Sequence, residues 1–184
     1  MRKLFILIFA VTFTACNAPA EQVGAGFFTL NEGEKYVVGS DDITDIWVKY
    51  IDAHNERDME TILAMETDEI GIVGPDGSRI NGKEMHEQAL TAWFEAEDPK
   101  WEIYWAMPYE GVNGGATWVV AGHAVTLNVE GEEVKVNSMI DGEIVDGKVN
   151  RFFVYNMAVP AETCLLYTSP SPRDRTRSRM PSSA

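Results

Sequence analysis

Two groups able to carry a proton stand where a helix ordinarily buries hydrocarbon. Ile43, Ile46, Trp47, Tyr50, Ile51 and His54 recur at three- and four-residue spacing, which puts all six on one face of a helix. Tyr50 and His54 are one turn apart on that face. A phenol donates a hydrogen bond and keeps its proton at neutral pH, and an imidazole has the ordinary pKa nearest neutrality. In an apolar setting such a pair can polarise a carbonyl oxygen and move a proton. The same two groups can also simply bond each other, a backbone carbonyl or an acid.

The elements that must position them follow from local signals. Ser40-Asp41-Asp42 reads as the capped start of the first helix, and Asp58 caps a short second one with Met59, Ile62 and Leu63 inward. Ile70 to Val73 reads as a strand ending in the turn Gly74-Pro75-Asp76-Gly77. Asn81-Gly82-Lys83-Glu84 has capping-box spacing and opens a third helix, whose buried face is marked by Met85, Ala89, Ala92, Trp93 and Ala96 and whose end is set by Pro99. From there the period falls to two. WEIYWAM, ATWVVAGHAVTLNV, EEVKVNSMIDGEIV and KVNRFFVYNM read as four strands, joined at Gly114-Gly115, Glu130-Gly131 and Asp146-Gly147. Gly142 suggests a bulge. This order implies an α+β domain: a strongly curled, mostly antiparallel sheet, with about three helices from the N-terminal half on its concave face.

The two ends read differently. Met1-Arg2-Lys3 followed by LFILIFAVTF has the form of an export signal over residues 1–15, and FTAC resembles a bacterial lipobox with Cys16 as the lipidated residue. Residues 16–40 read as a tether, 41–160 as the folded domain, and 164–184 as a non-native read-through tail without helical or strand period. Between 17 and 163 there remain nine basic and 28 acidic residues, about −19 in formal charge. That field repels nucleic acid and anionic headgroups and disfavours anionic ligands. No histidine pair has metal-ligand spacing, and neither a phosphate loop nor a Ser-His-Asp signature occurs, so neither metal nor cofactor is expected. His86 and His123 read as surface or internally satisfied residues. Trp101, Trp105 and Trp118 read as core or a dimer face.

KYIDAHNERDMETILAMETDEIGIVGPDG, RINGKEMHEQALTAWF and MIDGEIVDGKVNRFFVYN together resemble the nuclear transport factor 2-like superfamily, closest to its ketosteroid-isomerase and SnoaL-like polyketide-cyclase branches. The isomerase branch stabilises an enolate with a tyrosine and a protonated acid. Matched residue by residue, the resemblance places those roles on Tyr50 and Asp141. The position of the branch's general base holds Gly74, so ketosteroid isomerisation by that route is not implied. Alternation adds Asn137 and Met139 to the face of Asp141, and the match to the last strand turns Phe152, Val154 and Asn156 toward a pocket that Trp47 also lines.

The resulting expectation is an exported, lipid-anchored domain on the periplasmic or cell-surface side of a bacterial membrane. It would bind a small, largely apolar molecule, neutral or cationic. The alternatives are a cofactor-free isomerase, cyclase or dehydratase for a carbonyl compound, using Tyr50, His54 and Asp141, and a structural domain that docks a partner or a second copy of itself.

Overall fold

The structure, a computed structural model, describes residues 23–27 and 33–159. The expected leader, Cys16 and the expected foreign tail lie outside the described residues. Ten elements follow in order. β1 (Tyr36–Val38), α1 (Asp41–Glu56), α2 (Met59–Ala64), β2 (Glu66–Val73), β3 (Arg79–Asn81) and α3 (Lys83–Glu97) precede four long strands. These are β4 (Lys100–Gly111), β5 (Thr117–Val129), β6 (Glu132–Val145) and β7 (Lys148–Ala158).

The caps form where the sequence puts them. The Ser40 side chain accepts from the Asp42 amide and that of Asp58 from the Thr61 amide. Asp146 and Gly147 both have positive φ, 50° and 75°, as do Glu130 and Gly131, 55° and 88°. Two-residue loops of that conformation match the twist of the strands they join. The third helix starts differently from expectation. Its N-cap is Gly82, with no side-chain cap, because Asn81 is spent as the last residue of β3, opposite Gly71. Its inward face is also displaced by one position. His86 and Leu90 are buried, whereas Met85, Ala92 and Ala96 are exposed. A polar interior partner, described below, draws His86 inward and turns the helix with it.

One sheet runs in the order β1-β4-β5-β6-β7-β2-β3. Every pair is antiparallel except β2 with β7, which run parallel. The end of the expected tether is thus part of the sheet as β1, and β2 begins at Glu66, four residues earlier than the apolar run suggests. No helix among the described residues is long and apolar enough to cross a membrane.

Register decides which side chains meet the helices. Ala121, Ile140 and Val154 lie side by side and belong to the core, which Ile43, Trp47, Tyr50 and Ile51 of α1 complete. Their neighbours Trp105, Gly122, Met139 and Tyr155 form a row on the opposite face, where Met139 and Tyr155 are exposed. Gly142 is not the bulge. The irregularity in β6 lies one residue on, between Glu143 and Ile144. Gly142 instead seats Trp47, since a Cβ there would stand 2.9 Å from the indole Cζ3.

Candidate functional site

The first helix delivers Trp47, Tyr50 and His54 into the interior, each at most 4% exposed. There the Tyr50 hydroxyl donates to Glu66 Oε1 at 2.6 Å. His86 Nδ1 reaches the same oxygen at 2.6 Å from α3, donating its proton. Three elements, α1, β2 and α3, therefore converge on one carboxyl oxygen. Glu66 is wholly buried, and its other oxygen, Oε2, has no hydrogen-bond partner among the described residues. Burial, together with the charge and hydrogen bond of Glu66, holds the Tyr50 phenol well above its ordinary pKa, so it remains a donor.

His54 stands beside this cluster, its ring 4.4 Å edge-on to that of Tyr50 and 6.1 Å from that of His86. Its Nδ1 lies 2.7 Å from the Tyr50 carbonyl, which can only accept, so Nδ1 carries the hydrogen. Burial lowers its pKa to about 4, outweighing that hydrogen bond, with His86 and Arg57 pushing the same way as burial. At neutral pH it is an uncharged ring with a bare Nε2. His123 is fixed in the same tautomer. Its Nε2 accepts from the Trp47 indole at 3.1 Å and its Nδ1 donates to the Ser138 carbonyl at 3.3 Å.

The residues singled out from sequence divide between the two faces of the sheet. Trp47, Tyr50, His54 and Phe152 meet inside, where the Phe152 ring lies 6.0 Å from Trp47 and 6.4 Å from Tyr50. Val154 packs against the same core, and Asn156 is exposed at the far end of β7. Asn137, Met139 and Asp141 do share a face, but it is the outer one. Asp141 pairs in register with Val120 and Phe153, and its Oδ1 accepts from the Tyr109 hydroxyl at 2.7 Å. Burial raises its pKa against the lowering effect of that bond. The acid that faces Tyr50 is Glu66, not Asp141. The physical reason is parity: Ile140 and Gly142 look at α1, so the residue between them cannot.

Glu66 escaped the sequence reading because Glu66-Thr67-Asp68-Glu69 looks like a polar loop. The usable signal was its parity with Ile70 and Ile72, which are buried on the same strand. His86, expected at the surface or internally satisfied, is satisfied and buried. The cluster it joins could not be anticipated without Glu66.

Outside this sealed interior lies a groove. Arg57, Met59, Glu87, Thr91, Phe94 and Glu95 line a shallow, wide-open depression of about 440 Å³ between the end of α1, the start of α2 and one side of α3. Arg57 caps α1 in the left-handed conformation and is tied down. Its guanidinium donates to the carbonyls of His54 and Pro99, each at 2.7 Å, pairs with Asp98, and lies 4.2 Å over the Phe94 ring. Phe94 forms the partition, its ring 6.4 Å edge-on from His54.

No protein-family model and no curated protein matches the sequence. Solved structures do. The chain is similar to a proposed ketosteroid isomerase from Kribbella flavida DSM 17836, at 18% identity and a TM-score of 0.56 over 78% of this chain and 93% of that one. It is similar to an LEH-like epoxide hydrolase from M. tuberculosis, at 17% identity and a TM-score of 0.54 over 64% and 84%. A proposed SnoaL-like polyketide cyclase from Shewanella putrefaciens CN-32 matches at 13% identity and a TM-score of 0.50 over 62% and 79%. At such identities the likeness carries the fold alone. The fold shared with them is, among the described residues, an α+β arrangement of a curled seven-stranded mixed sheet and three helices, the architecture expected from the sequence.

Proposed function

We propose that this domain binds a small, largely apolar molecule in the groove over Phe94, and that binding rather than turnover is its work. One contrast supports the reading. The groove is open and of a size that suits a small ligand, whereas the carboxyl, phenol and imidazoles behind it are walled in by rings. Nile red, an uncharged apolar dye, is expected to bind saturably and to raise the melting temperature. Both effects should vanish in Thr91→Trp, whose indole occupies the groove from the exposed side of α3. Dye uptake indifferent to that substitution would overturn the assignment.

A second reading is a cofactor-free isomerase, cyclase or dehydratase acting on a carbonyl compound. What favours it is the unpartnered Oε2 of Glu66 beside a phenol that holds its proton and a neutral His54. In that reading Tyr50 donates to the developing oxyanion, Glu66 and His54 exchange the proton, and Asp141 has no part. The cluster must open for a substrate to enter.

On the strength of the leader and Cys16, the chain is also proposed to be exported and held to a bacterial membrane by lipid alone. Cys16→Ser is expected to move it from the membrane fraction to the soluble fraction. Identical partition of the two forms would remove the anchor from the account.

A further inference from the structure

We propose that the groove selects ligands carrying a positive charge on an apolar body, such as an aryl-alkyl ammonium. The inference rests on the binding reading above and narrows it to one class of molecule.

The charges around the cavity are unequal in their freedom. Arg57 is the basic residue lining it, and its guanidinium is already committed to Asp98, two carbonyls and the Phe94 face. An anion drawn to Arg57 would have to compete with Asp98 for the same hydrogens. Glu87 and Glu95, by contrast, have no hydrogen-bond or ion-pair partner among the described residues. They stand two turns apart on α3 with Thr91 midway between them. Another acid of the same helix, Glu97, is taken by the Trp93 indole at 2.7 Å and does not belong to the groove. Glu87, Thr91 and Glu95 therefore form an acceptor edge, and Met59 and Phe94 offer apolar surface beside it. A cation with a short hydrocarbon stem satisfies both, its ammonium at the acidic edge and its ring against Phe94 and Met59. The acidic body of the chain adds attraction at a distance.

Both glutamates face water, so each contributes modestly. Together they should give an ammonium roughly fivefold or more over an uncharged analogue at low ionic strength, an advantage that shrinks as salt is added. The test uses three molecules with one body: 4-phenylbutylamine, 4-phenylbutan-1-ol and 4-phenylbutyrate, each titrated against bound Nile red. The expected order is amine, then alcohol, then acid. In Glu87→Gln/Glu95→Gln the ratio of amine to alcohol affinity should fall to about one. An amine that binds no better than the alcohol, or an advantage that survives the double substitution, would sink the charge inference and leave the groove standing. Failure of the dye and all three compounds would sink the groove as well.

Discussion

Glu66→Leu is expected to lower the unfolding free energy by about 3 kcal/mol or more. The Tyr50 hydroxyl and His86 Nδ1 both place their hydrogens on Glu66 Oε1, and all three residues are sealed from water. Leucine leaves two buried donors facing hydrocarbon, at roughly 1–3 kcal/mol each. It also removes a carboxyl whose second oxygen lacks a partner, a relief that offsets part of the loss. The balance stays unfavourable because two donors are stranded for one orphan removed. Urea unfolding measures the change, and a loss under about 1 kcal/mol would show that the cluster carries little of the fold. The loss has a signature. Adding Tyr50→Phe and His86→Leu removes the stranded donors, so the triple variant should recover much of it. Glu66→Gln keeps an oxygen that accepts from both donors but puts an amide NH2 where Oε2 has no partner, so it should lose less stability than Glu66→Leu without matching the native protein. If any carbonyl substrate is turned over, its rate in this variant should fall steeply under conditions where urea unfolding shows the variant still folded. An undiminished rate would take Glu66 out of the reaction.

Lowering the pH from 7 to 4 should cost the domain about 3 kcal/mol through His54 alone. Burial depresses the folded-state pKa of this ring from 6.5 to about 4. An unfolded chain takes up the proton near 6.5, while the folded one refuses it until about 4. In that interval the unfolded state binds more protons, so falling pH favours unfolding, and the loss is complete only below the folded value. Burial shifts His123 in the same direction, which adds to the slope. The His54 ring should titrate near 4 by NMR, and urea midpoints should fall over the same interval. His54→Phe keeps a ring against Tyr50 and should flatten that part of the curve, losing one hydrogen bond to the Tyr50 carbonyl. A His54 midpoint near 6.5 would mean that the ring is reached by water.

Much of the architecture was legible because its signals are local. Ser40 and Asp58 announce their helices, Asp146-Gly147 its hairpin, and the alternation of β5 to β7 the meander. What failed depended on contacts distant in sequence. Parity was read correctly in placing Asn137, Met139 and Asp141 together, but which face looked inward was set by Trp47 resting on Gly142, a contact across 95 positions of chain. The carboxyl at the centre was hidden for a related reason. Four polar residues in a row conceal one that turns inward, and only the partners arriving from α1 and α3 explain why burying it is tolerable.

The parallel pairing of β2 with β7 has a consequence for how the chain is made. Glu66 lies opposite Val149, and the Val149 amide bonds the Met65 carbonyl at 2.9 Å, so the last strand fixes the place of the first long one. Contacts of such high order form late. A nascent polypeptide that has not yet released residues up to Ala158 lacks the wall behind its central carboxyl. Such a chain keeps this part of its interior open until β7 is available to pair.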